Sequence, residues 1–164
     1  MEFLPLLCLI GILISFYAVH VETENSKDEN YNALCDLGEG VSCSNVLTSD
    51  YAHLFSKLGV VPKGTMFDQS NATLGVLFYL LVYLANYFKT INYNQSNTNI
   101  QYFILGMTTF GLGMSMYLAY VLFFLLDDIC MVCIATYVVN TMLFVEAYKE
   151  YYSIASTRIK NRKK

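Results

Sequence analysis

Ile129-Cys-Met-Val-Cys-Ile-Ala-Thr-Tyr-Val-Val-Asn-Thr-Met-Leu-Phe-Val-Glu-Ala-Tyr148 is an apolar stretch with two thiols in its first turn. A helix of about 20 apolar residues spans the hydrocarbon of a bilayer. The stretch therefore reads as a membrane helix with Cys130 and Cys133 at its mouth. A CxxC pair forms an easily exchanged disulfide, the usual equipment of a redox catalyst. A helix N-terminus favours a thiolate at Cys130. Asp127 and Asp128 oppose it unless their charge is spent on capping backbone N–H groups. Cys133 faces the same way one turn deeper, and Tyr137 and Asn140 continue that stripe at i+4 and i+7. Polar groups at this depth are costly, so they are functional or paired with neighbouring helices.

Outward from this helix, the chain supplies three more apolar stretches. Phe3–Val21 comes first and reads as a retained anchor, because it has no basic leading region and no small-residue cleavage site. Spans at 73–88 and 100–126 follow, the last long enough to tilt. With 129–148 they make a four-helix membrane bundle in a single domain, 1–164. The composition agrees: 55% hydrophobic, 14% charged, with 14 Tyr, 11 Phe and no Trp. Mean hydropathy is +0.43. Small residues four apart (Gly11 and Ser15; Gly111, Ser115 and Ala119) suit close helix packing in lipid.

Charge is segregated. The polar loop 22–72 holds eight acids and three lysines, a net −5, and the tail 149–164 holds six bases and one acid, a net +5. Four crossings put both termini on one side, and the basic tail makes that side cytoplasmic. Nucleic-acid binding is not expected from it. The loop and the turn at Asp127-Asp128 then share the opposite, oxidising side, expected to be the lumen of the endoplasmic reticulum. This parity brings Cys35 and Cys43 to the membrane face that carries Cys130 and Cys133. Cys8 alone falls elsewhere, in the first span.

Cys35 and Cys43 bracket seven residues with two glycines, enough to close a small disulfide loop. That loop is a structural staple or a shuttle that takes electrons from a soluble partner and passes them to the CxxC. Zinc held by four thiols is a third option, without a known finger or ribbon spacing. His20 and His53 are the only imidazoles; neither has a cysteine beside it, and neither is assigned a catalytic part.

At these residues the chain resembles the vitamin K epoxide reductase family. The matching segments are Tyr17-Ala-Val-His-Val21, Tyr31-Asn-Ala-Leu-Cys-Asp-Leu-Gly38 with Val41-Ser-Cys-Ser44, and Gln69-Ser-Asn71. Tyr117-Leu-Ala119 with Leu122-Phe-Phe124, and Asp128-Ile-Cys-Met-Val-Cys-Ile134 with Thr136-Tyr137, complete them. Cys8 also fits a cysteine that some animal members carry. The resemblance implies a bundle around a quinone pocket, capped by the luminal loop. It implies a relay in which a thioredoxin-like luminal oxidoreductase reduces Cys35, Cys43 passes electrons to Cys130, and Cys133 reacts with vitamin K epoxide or quinone. Redox-active disulfides Cys35–Cys43 and Cys130–Cys133 follow from it, with no permanently bound cofactor and no metal. Asn71 and Tyr137 match residues that hydrogen-bond the substrate oxygens; Leu47, Leu74 and Phe78 fall on apolar pocket positions.

The chain departs from the family in places. Leu47 and Leu74 stand where aromatic walls are usual, which weakens the case for sensitivity to coumarin anticoagulants. The loop tryptophan is absent, and Tyr51 is nearest to it. Asn71-Ala-Thr73 and Asn94-Gln-Ser96 read as glycosylation sequons. The first is expected to stay unmodified under the loop, and the second lies on the cytoplasmic side. Two other functions fit the same residues: a quinone-reducing generator of disulfides in luminal proteins, and a non-catalytic tetraspan organiser. The latter has no need of two thiols in a helix mouth.

Overall fold

The computed structural model describes residues 3–28, 31–36, 38, 40–57, 59, 61–62, 65, 68–91, 98–126 and 128–162. The Asn94 sequon, the Lys63-Gly64 turn, Asp127 and the terminal Lys163-Lys164 lie outside them. Among the described residues six α-helices follow one another: α1 Phe3–Lys27, α2 Cys43–Leu47, α3 Leu54–Lys57, α4 Asn71–Ile91, α5 Thr98–Val121 and α6 Met131–Arg162. A 3-10 turn, Asp50–Ala52, separates α2 from α3, and a π-helical turn, Leu122–Leu126, ends α5. Four helices (α1, α4, α5 with its π turn, and α6) are long and apolar enough to cross a membrane.

The chain is a multi-pass membrane protein, and the helices run beyond its apolar stretches. α1 continues through Glu22–Lys27, with Lys27 paired to Glu24 at 2.8 Å. α6 continues through the basic tail, with Lys149 on Glu146 at 2.8 Å. Apolarity sets how much helix lies in lipid, whereas propensity and pairs one turn apart set where the helix stops.

The main contacts run round a ring, α1 against α4 and α6, and α5 against α4 and α6. Gly11 makes the first contact possible: a Cβ there would collide with the buried Tyr79 ring. Gly111 likewise leaves room for the ring of Phe78. The middle of the bundle is tied by polar groups. Tyr79 donates to Asn140 Oδ1 at 2.8 Å, Asn140 Nδ2 donates to Ser115 Oγ at 2.7 Å, and Ser115 donates to the Gly111 carbonyl at 2.9 Å. Asn140 thus serves helix pairing rather than the thiol-bearing stripe. At the end remote from the cysteines, Lys89 meets Glu150 at 2.6 Å and Gln101 at 3.0 Å.

Candidate active site

The cap over the other end is built around Asp36. Its carboxylate accepts from the Ala33 amide at 2.8 Å, the Cys43 amide at 2.6 Å, the Ser44 amide at 3.1 Å and the Ser44 hydroxyl. Burial alone would raise this carboxyl, but the four bonds outweigh it and hold it below the usual carboxylate range. Asp36 thereby closes the same ring as the disulfide between Cys35 and Cys43, whose Cα atoms are 5.8 Å apart. Ser42 caps α2 by accepting from the Asn45 amide at 3.2 Å. Cys35, Asp36 and Cys43 place ligand atoms within 4.8 Å of one another, but the sulfurs are bonded together and both carboxylate oxygens are engaged.

The loop is pinned to the CxxC helix. The Ile129 amide donates to the Gly40 carbonyl at 2.9 Å, within a parallel bridge between Val41 and Ile129. Asn45 reaches Asp128 at 3.4 Å. In consequence Cys43 and Cys130, both fully buried, belong to one cluster with Ala18, Val21, Val46 and Leu122. Cys130 and Cys133 are free thiols, and the Cys133 amide donates to Cys130 Sγ at 3.2 Å.

Beneath the cap lies a cavity of about 110 Å³. Cys133, Tyr137, Asn71 and Leu47 line it, together with Tyr51, Glu22 and apolar groups from α1, α5 and α6. Cys130 does not. Of the two thiols in this turn, Cys130 is buried in the cluster that holds the loop cysteine, and Cys133, packed against that cluster, also lines the cavity. Leu74 and Phe78 lie outside the lining, Phe78 being packed against Gly111 of α5. α4 presents Asn71, Ala72 and Gly75 to the cavity instead.

Asn71 opens α4 and also holds the cap, donating from Nδ2 to the Tyr51 carbonyl at 2.7 Å and accepting from the Leu54 amide at 3.4 Å. The amide nitrogen that a glycan would need is thus engaged. The Tyr137 hydroxyl makes no hydrogen bond to a described residue. Sequence reasoning passed over Asp36, Tyr79 and the set Glu22, His53 and Asp68. A signal existed only for Asp36, an aspartate next to a cysteine in a turn, where such side chains bind nearby backbone amides.

A profile of the Vitamin K epoxide reductase family matches residues 3–148. The chain is 34% identical over 145 residues to Vitamin K epoxide reductase complex subunit 1 of Mus musculus, covering 88% of this chain and 86% of the relative. It is 32% identical over 145 residues to the Rattus norvegicus protein of the same name, with the same shares of each chain.

Proposed function

The chain belongs to the vitamin K epoxide reductase family and is an oxidoreductase of that type, and from this premise we propose the route of its electrons. A thioredoxin-like oxidoreductase of the endoplasmic reticulum lumen reduces the Cys35–Cys43 disulfide. The Cys43 thiolate attacks Cys130 of a Cys130–Cys133 disulfide and frees Cys133. Cys35 then resolves the mixed bond. The pairing in the structure, a closed loop disulfide beside two free helix thiols, corresponds to the loaded state of this cycle. Both termini are cytoplasmic, which puts cap and cavity on the luminal face.

In the cavity the Cys133 thiolate attacks the ring of the 2,3-epoxide. Tyr137 and the second N–H of Asn71 donate to the ring oxygens and stabilise charge that develops there. Cys130 then attacks Cys133, and the product leaves as the quinone with water. A second dithiol cycle takes the quinone to the hydroquinone. The observation that supports this reading is the setting of the CxxC turn, with Cys133 lining the cavity and Cys130 outside that lining, in one buried cluster with Cys43.

The test uses membranes supplied with vitamin K epoxide and, separately, the quinone. Cys133→Ser abolishes turnover driven by dithiothreitol; retained turnover would overturn the assignment. Cys35→Ala loses activity with a protein donor and keeps much of it with the small dithiol, which reaches the CxxC without the loop pair. Equal loss under both donors would make Cys35 a staple and not a shuttle.

A further inference from the structure

Glu22 at the end of α1, His53 in the cap and Asp68 before α4 are joined at the side of the cavity. His53 Nδ1 lies 3.2 Å from the Asp68 carbonyl oxygen and 3.2 Å from its carboxylate. His53 Nε2 lies 3.4 Å from Glu22 Oε1. A backbone carbonyl only accepts, so Nδ1 carries a hydrogen and the ring orientation is settled by Asp68. Nε2 then faces a carboxyl oxygen. That contact is attractive only with a proton between them, on the imidazole or on Glu22.

Two further facts give this proton a direction. Glu22 lines the same cavity as Cys133. The His53 side chain is 39% exposed, against 21% for Glu22 and 12% for Asp68. One exchangeable proton is therefore held between the cavity wall and the outside, by an imidazole anchored through its other nitrogen. The charged groups against His53 are Glu22 from α1 and Asp68 from the segment before α4. Lys57 of α3 lies over the Tyr51 ring, 4.7 Å from its centroid.

We propose that Glu22, His53 and Asp68 form the proton path of the cavity: Glu22 gives a proton to the substrate oxygen, His53 reloads it from outside, and Asp68 positions the ring. The proposal deepens the reading above and rests on it. Cys133 reacts as a thiolate, so its own proton is gone before attack. As the C–S bond forms and the epoxide C–O bond opens, the oxygen takes a proton from Glu22. The Cys130 thiolate next attacks Cys133 sulfur. The S–S bond forms, the C–S electron pair returns to the ring, and the hydroxyl takes a second proton and leaves as water. Two thiolates, two protons and the epoxide become a disulfide, the quinone and water. Glu22 is the one carboxyl among the described lining residues; the other O–H groups there, on Ser15, Ser49, Ser70, Thr136, Tyr51 and Tyr137, are alcohols and phenols, which donate hydrogen bonds but are far weaker acids.

The experiment measures dithiothreitol-driven epoxide reduction by the full chain in membranes, from about pH 5 to about pH 9, which spans the range where imidazoles in general exchange their charge. Glu22→Gln and His53→Gln are expected to lower turnover on the order of a hundredfold, the usual worth of a positioned acid. Both also remove the alkaline fall of the wild-type profile. Asp68→Asn keeps a hydrogen-bond partner for Nδ1, moves the midpoint of that fall and loses less turnover. Thiol trapping of Cys35 and Cys43 reports whether the cap is intact, and if Glu22→Gln opens it, His53→Gln carries the test. Profiles that fall in parallel with wild type at every pH would overturn the proton path and leave a structural clasp. Wild-type membranes without turnover, or an active Cys133→Ser, would instead sink the reading of the site itself.

Discussion

Asp36→Asn probes the cap at its most connected residue. An asparagine retains one carbonyl oxygen, which serves the Cys43 and Ser44 amides as Asp36 Oδ1 does at 2.6 and 3.1 Å. Its NH2 group then faces the Ala33 N–H, now 2.8 Å from Oδ2, and donor meets donor. The Ser44 hydroxyl has to turn and accept. One charge-assisted bond is lost outright, worth about 1.5–3 kcal/mol, and the others weaken. The carboxylate is only half-buried, so solvent screening brings the net loss to about 2 kcal/mol. Because these bonds tie Ala33 to Ser44, across the ring that Cys35 and Cys43 close, the loss falls on ring closure. Two kcal/mol is about thirtyfold in an equilibrium.

The assay uses the chain with Cys8, Cys130 and Cys133 changed to Ser, equilibrated in glutathione buffers and trapped with a maleimide polymer. The loop disulfide of Asp36→Asn is expected to open at about thirtyfold less reducing conditions than the parent. A midpoint within about twofold of the parent would refute the clamp, since that is only about 0.4 kcal/mol. The pH dependence has a definite sign. The folded carboxyl is held below its ordinary value, so the clamp is fully present above that ordinary value and is lost as pH falls through the lowered one. Closure of the parent loop is therefore flat across neutral pH and weakens only in acid.

Two further outcomes concern the bundle. Gly11→Val drives a branched side chain against Tyr79, which is 1% exposed and tied to Asn140, so the ring cannot yield. Overpacking of this kind costs about 1–3 kcal/mol, at roughly 2–4 °C per kcal/mol, and an unchanged melting midpoint in detergent would contradict the packing. Tyr79→Phe leaves Asn140 Oδ1 without its donor and costs about 1 kcal/mol. Its turnover with dithiothreitol stays near wild type, because neither residue lines the cavity; a selective loss of turnover at unchanged stability would place Asn140 in the site after all.

Much of this arrangement is legible in the chain, and the limits have physical causes. The four apolar stretches locate the crossings because lipid demands about 20 apolar residues each. The i, i+3 spacing of Cys130 and Cys133 puts both on one face of α6, but spacing does not say what stands opposite each. That depends on the cap, whose position is fixed by the Ile129–Gly40 bond between segments far apart in sequence. Helix rotation was harder to read. Leu74 and Phe78 share an i, i+4 row on α4, and Asn71 and Gly75 share the neighbouring row, about 60° round the helix. A membrane helix is apolar toward lipid and toward its neighbours, so apolarity does not choose between rows. The choice follows from Gly111, which accepts the Phe78 ring and turns Asn71 and Gly75 to the cavity. His53 was passed over because its partners, Glu22 and Asp68, are remote in sequence and none of the three is a cysteine neighbour.

In the proposed cycle electrons and protons reach the cavity by separate ways, and the cap serves both. Its first half, from Ala33 to Ser44, closes around Asp36 and puts Cys43 in the buried cluster that holds Cys130. Its second half, from Tyr51 to Leu54, is held to Asn71 and carries His53 to Glu22. Reduction of a quinone or an epoxide needs two electrons and two protons at one ring, while an open channel to water would let a thiol intermediate hydrolyse or leak. Cys130 is fully buried, so on the proposed relay it takes electrons by disulfide exchange without admitting solvent. On the proposed proton path, the His53 imidazole between two carboxylates admits protons under the same condition. The CxxC turn is then the point where the two ways meet: Cys130 belongs to the electron side, Cys133 to the cavity, and the three-residue spacing keeps them in reach of one another.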